Sequence, residues 1–416
     1  MQAADEYRGG PDAGPELAVM APRSNIEAFC ETAALADAMR AAAADRRMAR
    51  AHTQVHMGGI AAAVRRFEAQ STPNLLIVES PAEQGALPAA LAALAEVCQA
   101  ETKVVVTGRF NDVELYRELM RQGISEYLVM PLAPLQLIET IARLFADARA
   151  APVGRVIAFM AAKGGAGSST IAQNCALEIS RYADLETAIV DFDLAYGTAS
   201  LNFDIDTSAG LLEAIDQPAR IDPVLLDRLL IRIDGKLSLL SGPGGISRDL
   251  SAAPAAVEAV MLTLRASLPR IVLDLPMMWT GAVKSALFNA DRVVITAEPE
   301  LASLRNAKFI LETLKAARPN DVPPLLVLNK TGLARRPEIS AADFAKAAGA
   351  ALCAVIPHDP RSFGAAVNNG KMLLDMAPKS KAAQALRQFA RQLAGTEKAA
   401  VRPRSFFSRF GIFRKT

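Results

Sequence analysis

The stretch Lys163-Gly164-Gly165-Ala166-Gly167-Ser168-Ser169-Thr170 has the residues to hold a phosphate chain. It follows the apolar run Val156-Ile157-Ala158-Phe159-Met160 and opens a helical periodicity from about Ser169 to Arg181, so small residues sit where a strand turns into a helix. From Ala161 to Gly167 they let successive backbone N–H groups curl around phosphate oxygens, and the helix N-terminus adds its partial positive charge. The Ser169 hydroxyl, just past the loop, is placed to ligate Mg²⁺ between phosphates. A flexible Gly-Ser turn would share this composition, and it is the strand–loop–helix context that favours phosphate. Against the ordinary G-x-x-x-x-G-K-[ST] loop, Ala162 replaces the first glycine and Ser168 replaces the lysine.

Three further segments end apolar runs with polar side chains. In Val190-Asp191-Phe192-Asp193-Leu194 two carboxylates stand two residues apart and point the same way if the chain stays extended. Alone, such a pair reads as two solvated acids; beside a phosphate loop it can support a metal and orient a water molecule. Ile271-Val272-Leu273-Asp274-Leu275-Pro276 is an apolar strand closing on an acid able to hold Mg²⁺ through water. Val327-Leu328-Asn329-Lys330 and Ile356-Pro357-His358-Asp359 also close on polar residues, and the Asn329 amide can both donate to and accept from a base edge.

These residues need a scaffold that delivers strand ends to one place. From Leu17 to about Ala146, strands are predicted at 17–20, 47–55, 75–78, 103–107 and 126–129. Helices are predicted at 26–44, 60–67, 87–98, 112–122 and 134–148. Ala150-Ala151-Pro152-Val153-Gly154 punctuates the pattern. A second series then predicts strands at 156–160, 187–191, 237–240, 270–275, 292–296, 325–328 and 352–356. The expected fold is α/β with two doubly wound parallel sheets, because each parallel connection needs a crossover helix. Ligands on such sheets bind at the carboxyl ends of the strands, where the polar residues above fall. The expected organisation is a loose Gly/Pro-rich tail at 1–15, a first domain at 16–149, a second at 150–396 and a basic tail at 397–416.

Composition sets limits on the partners. Forty-six basic residues against 44 acidic ones give no bias toward a polyanion. No apolar run approaches the roughly 20 residues of a membrane span, and Met1 to Gly14 lacks a secretory apolar core, so a cytoplasmic protein is expected. Cys30, Cys98, Cys175 and Cys353 are scattered without a close pair and are expected reduced and mostly buried. His52 and His56 have metal-ligand spacing for a helix but lie near a predicted strand with no third ligand, which favours structural roles.

The loop that begins at Lys163 resembles the deviant Walker A loop of the MinD/ParA-like ATPases, and this resemblance implies ATP and Mg²⁺. It also implies that Lys163 reaches across a homodimer to the nucleotide of the partner subunit, so that ATP binding and dimerisation are coupled. Asp193 would orient the attacking water or contact the water shell of the metal. Asp191 would support the metal, Asp274 would be the Walker B acid, and residues 276–279 would form switch II. Asn329 and Pro357 match where that family contacts adenine.

A loop reading KGGxGSST is further similar to the CpaE/TadZ branch, relatives associated with Flp/Tad-type pilus and secretion systems. The first domain agrees, because residues 17–148 resemble a response-regulator receiver. A working receiver ends its third, fourth and fifth strands with Asp, a hydroxyl and Lys, whereas here Glu79, Thr107 and Met130 stand at those places. A receiver-like fold without phosphotransfer is expected, used for docking or dimerisation.

Residues 402–416 combine arginines and a lysine with Phe406, Phe407, Phe410 and Phe413. As a helix they could lie on an anionic membrane surface at the inner face of the plasma membrane, and as an extended tail they could dock on a protein. Both readings stay open, while nucleic acid is disfavoured without a wider basic surface. The expected function is an ATP-dependent localisation and assembly factor acting with pilus or secretion machinery. Loss of the loop lysine would make hydrolysis slow or negligible. A non-hydrolysing nucleotide-held scaffold and a ParA-like DNA-partitioning ATPase are the alternatives.

Overall fold

The computed structural model describes residues 20–22, 24–80, 84–145, 154–206, 210–242 and 252–395. These fall into two compact units, each built on its own sheet. Both predicted tails and the predicted 149/150 boundary lie outside the described residues.

The first sheet has strands β1 (Ser24–Cys30), β2 (Ala51–Met57), β3 (Leu75–Glu79), β4 (Lys103–Gly108) and β5 (Glu126–Val129), in the spatial order β2-β1-β3-β4-β5, all parallel. This is the flavodoxin-like doubly wound order. Successive residues of β3 enter opposite cores: Leu75 and Ile77 pack on one face, Leu76 and Val78 on the other. Burial on both faces is why the strand reads as an unbroken apolar run.

The start of this unit corrects the sequence reading. The predicted helix at 26–44 begins only at Ala33, and residues 26–30, predicted as its start, belong to the first strand, Ser24–Cys30. Ser24, Ile26 and Ala28 are buried in alternation, a period-2 signal hidden by the alanine-rich stretch that follows. Thr32 marks the true helix start by accepting from the Leu35 amide at 3.4 Å. Of the first strand predicted at 17–20, only Met20 is described, and it is not in a strand. Likewise Arg46–Met48 is a 3₁₀ turn capped by Asp45, and the strand predicted at 47–55 starts at Ala51. On β2, His56 meets Glu27 at 3.0 Å and stacks on Phe29, which gives it a structural place.

The second sheet contains β6 (Arg155–Ala161), β7 (Thr187–Asp191), β8 (Ile231–Asp234), β9 (Leu237–Ser241), β10 (Arg270–Leu275), β11 (Arg292–Ala297), β12 (Leu325–Thr331) and β13 (Leu352–Pro357). Their spatial order is β13-β12-β11-β6-β10-β7-β9-β8. All neighbours are parallel except β8 and β9, which form a hairpin through Gly235 and Lys236. The short, half-exposed β8 is the strand that the sequence reading did not contain.

Side-chain alternation sets up the site. On β6, Val156, Ala158 and Met160 enter one core, while Ile157 and Phe159 enter the other. On β10, Ile271, Leu273 and Leu275 enter the first core and Val272 the second, which is shared with Ile171 and Cys175 of the helix Ser168–Ala183. Asp274 therefore lies on the helix side of the sheet. The same count on β7, with Val190 in the first core and Ile189 in the second, places Asp191 on that side too.

Candidate nucleotide site

β6 runs into the loop Ala162–Gly167, and the 16-residue helix Ser168–Ala183 leaves it. Gly165 and Gly167 have φ of +83° and +88°, conformations that glycine adopts without strain. At Gly167 space is decisive as well, since a Cβ would come within 2.6 Å of Asn329 Nδ2. Among the described residues no acceptor meets the amides of Gly164, Gly165, Gly167, Ser168, Ser169 or Thr170. A cluster of unengaged N–H groups at a helix N-terminus suits an anion. Ser168, which replaces the usual lysine, is buried with a hydroxyl that has no partner in the protein.

Asp191 and Asp274 lie in register on the adjacent strands β7 and β10, 2% and 3% exposed. Burial pushes the Asp191 carboxyl up to about 6, against hydrogen bonds from the Ala199 and Asp193 amides. Burial, then the Asp191 charge, pushes Asp274 well above the usual carboxylate range, opposed by the neighbouring polar side chains of Ser169 and Gln173. Two buried carboxylates beside a serine hydroxyl form a hard oxygen set of the kind Mg²⁺ takes, with water and phosphate oxygens completing its shell. The residues present fit that ion.

Asp193 is half-buried and closes a turn. Its amide donates to Asp191 at 3.1 Å, and its carboxylate accepts from the Tyr196 amide at 2.9 Å. Gly197 lets this segment wrap Asp191 closely, since a Cβ there would lie 2.5 Å from Asp191 Oδ2. Lys163 is half-buried, and its ammonium pairs with Glu300 at 2.5 Å, a hydrogen bond that raises its pKa. Asn329 is 5% exposed; its Nδ2 donates to the Ala166 carbonyl at 2.8 Å, and its Oδ1 is buried without a partner. One donor of the amide is thus committed to the loop, leaving Oδ1 as the atom available to a base. Pro357 ends β13 beside Thr331, and Asp359 caps the helix Pro360–Asn368 by accepting from the Ser362 amide.

The structure also shows neighbours the sequence did not flag. Lys330 donates to the Gly165 carbonyl and pairs with Glu298 at 3.0 Å, and Arg336 pairs with the same Glu298 at 2.9 Å. Burial would raise the Glu298 carboxyl, but the two cations hold it below its ordinary value. Asn306, from the helix Leu301–Ala317, donates to the Ala162 carbonyl at 2.9 Å. The pair Glu298-Pro299-Glu300 at the end of β11 was a legible signal; the lone Asn306 inside a helix was not.

In the first unit, Glu79 and Thr107 are in register on β3 and β4, both buried. The Glu79 carboxylate accepts from the Glu31 amide at 2.7 Å, the Thr32 amide at 2.8 Å and the Thr32 hydroxyl at 2.9 Å. Met130 packs against the core formed by β1, β3 and neighbouring helices. The corner where a receiver would take up phosphate is thus filled by a fully engaged carboxylate.

No family model matches the chain. It is 25% identical over 269 residues to an uncharacterized ATP-binding protein of Methanocaldococcus jannaschii, an alignment spanning 62% of this chain and 96% of that one. A ParA family ATPase from Chlorobium tepidum superposes with a TM-score of 0.53 at 26% identity, over 58% of this chain and all of that one (100%). The pilus assembly protein CpaE of Caulobacter crescentus is 50% identical over 98% of its solved chain, matching the N-terminal part of this one (31%; TM-score 0.30). At 50% identity over 98% of that solved chain, this protein belongs with the CpaE pilus assembly proteins through its N-terminal part, and it is similar to ParA family ATPases over the rest.

Proposed function

We propose that the second unit binds Mg²⁺–ATP and that nucleotide-dependent dimerisation makes the chain a localisation and assembly factor for a Flp/Tad-type pilus. The observation that carries this reading is the meeting of unengaged loop amides with two buried, in-register carboxylates beside Ser169. Gly164 to Thr170 would cradle the phosphates. Ser169, Asp274 and Asp191 would hold Mg²⁺, which when bound neutralises charge on the phosphate oxygens. Asn329 and Pro357 would line the base site. The unpartnered Oδ1 of Asn329 would accept from the 6-amino group of adenine, where guanine carries a carbonyl oxygen.

Dimerisation is supported by exposed apolar side chains on the segments that leave the site. Tyr196 and Leu201 follow Asp191, Met277, Met278 and Trp279 follow Asp274, and Leu301 adjoins Glu300. Exposed apolar groups of this density mark a surface that is covered in use. In a two-fold dimer the same face serves both copies. Lys163 would then exchange Glu300 for the phosphates of the partner's nucleotide, and Asp193 would orient water. Without a lysine at 168, charge developing on the transferred phosphoryl group lacks its usual stabilisation, so turnover is slow or negligible.

The engaged Glu79 supports a pseudo-receiver used for docking. We further infer limits of 16–149 and 150–396 for the two domains, with the tail 402–416 attaching either to the inner membrane face or to a partner protein; among the described residues no helix is long and apolar enough to cross a membrane. The test is steady-state phosphate release by the full chain and by Asp193→Ala, with and without anionic vesicles. Slow release that disappears in Asp193→Ala supports a cycling switch. No release under any condition, with ATP bound, leaves a nucleotide-held scaffold.

A further inference from the structure

Three side chains from outside the phosphate loop hold its carbonyls. Asn306 Nδ2 donates to the Ala162 carbonyl at 2.9 Å, Asn329 Nδ2 donates to the Ala166 carbonyl at 2.8 Å, and the Lys330 ammonium donates to the Gly165 carbonyl. Two backbone bonds complete the set, Ala166 N–H to the Lys163 carbonyl and Ile171 N–H to the Gly167 carbonyl, both at 3.1 Å. Among the described residues every carbonyl from Ala162 to Gly167 but that of Gly164 has a donor, while most of the amides have no acceptor.

A trans peptide is planar, so its C=O and the N–H of the next residue leave on opposite sides. Asn306 on the Ala162 carbonyl therefore fixes the direction of the Lys163 N–H. Asn329 on the Ala166 carbonyl does the same for the Gly167 N–H. Lys330 on the Gly165 carbonyl steadies the plane whose N–H, that of Ala166, closes the turn onto Lys163.

The way β12 is built makes this grip possible. Consecutive residues of a regular strand point to opposite faces, yet Asn329 and Lys330 reach neighbouring loop carbonyls. The pairing of β12 with β13 slips between Leu328, opposite Val355, and Thr331, opposite Pro357, and Lys330 has φ of +56°. A bulge and a left-handed lysine re-aim the two side chains. The Lys330 ammonium is further held at 3.0 Å by Glu298, which Arg336 holds in turn at 2.9 Å.

We propose that Asn306, Asn329 and Lys330 form a scaffold that sets the phosphate loop in its anion-accepting shape before nucleotide arrives, and so offsets the missing lysine at 168. The inference rests on the nucleotide reading above, and it makes Lys330 a positioning residue that acts through the Gly165 carbonyl. A preset loop serves every phosphate chain alike. Losing one hold should therefore weaken ATP and ADP by the same factor, whereas a cation that meets the phosphates would matter more for ATP.

The test is equilibrium binding of Mg²⁺–ATP and Mg²⁺–ADP to the full chain and to Lys330→Ala, Lys330→Gln and Asn306→Ala. Lys330 and Asn306 are both partly exposed, so their replacement spares the core. The scaffold predicts that Lys330→Ala and Asn306→Ala each weaken both nucleotides equally, by about tenfold. It also predicts that Lys330→Gln, which keeps a donor without the charge, regains most of the loss. Unchanged affinities in both alanine variants, or a Lys330→Ala loss that is larger for ATP and not restored by glutamine, would overturn it. Failure of the unaltered chain to bind either nucleotide would instead refute the ATP reading.

Discussion

Asp191 and Asp274 sit side by side on neighbouring parallel strands, each almost wholly buried, and the charge of Asp191 raises the proton affinity of Asp274. Such a pair costs stability when both members are ionised, and a divalent cation removes that cost.

This gives the nucleotide-free chain an unusual pH dependence. The Asp191 carboxyl lies at about 6 in the folded state against 3.8 in the reference state. Between those values the folded form of this carboxyl binds more protons than the unfolded one, so its contribution to stability falls as pH rises from about 4 through 6 and stays lower above it. Asp191→Asn should remove this contribution and stabilise the nucleotide-free chain, relative to the unaltered one, by roughly 1–3 kcal/mol above pH 6. Urea unfolding followed by the fluorescence of Trp279, the only tryptophan, reads this unit directly. A gain from Asp191→Asn that does not grow between pH 4 and 7 would contradict it.

Glu79 is expected to be an anchor rather than a phosphate acceptor, since its two oxygens already accept from Glu31 and Thr32. Glu79→Ala leaves three donors unmet and should destabilise the first unit by roughly 2–4 kcal/mol, seen as a lower midpoint in thermal unfolding. Acetyl phosphate should label neither the unaltered chain nor Glu79→Asp. Labelling of either would reopen a signalling role for this corner.

Asn329 should set base choice. With Nδ2 engaged at Ala166 and Oδ1 buried and unmatched, the 6-amino group of adenine would be met and the 6-carbonyl of guanine opposed. ATP should bind at least tenfold more tightly than GTP, and Asn329→Ala should narrow that ratio in competition binding. Equal affinities would exclude Asn329 as the selector.

Lys163→Ala should leave ATP affinity of the isolated chain within about twofold while abolishing the ATP-dependent rise in mass measured by light scattering. The lysine pairs with Glu300 on its own chain, so it contributes little to the site that chain presents. A large loss of affinity in the monomer would place the lysine on its own subunit's phosphates.

What could be read from the sequence follows from how local each signal is. The phosphate loop, Asp191 and Asp274 each close a fully buried strand, where an unbroken apolar run ends on a polar residue and the strand end is visible by eye. Ser24–Cys30 was misread because its alternation competes with an alanine-rich helix a few residues on. β8 escaped because it is only four residues long, too short for the alternation of Ile231 and Ile233 with Arg232 and Asp234 to stand out after the leucine-rich helix before it. The grip of Lys330 on Gly165 could not be read at all, because it depends on a bulge between strands that are adjacent only in the folded sheet. Asn329 was legible as a polar strand end, but that its amide is bonded to the loop was not.

The most direct test of the account is calorimetric titration of the nucleotide-free chain with ATP, with and without Mg²⁺, alongside Asp274→Asn. The account predicts saturable binding at one site per chain that tightens with Mg²⁺, and loss of that tightening in Asp274→Asn with the fold intact. Absence of saturable ATP binding, or Mg²⁺ dependence that survives Asp274→Asn, would contradict it.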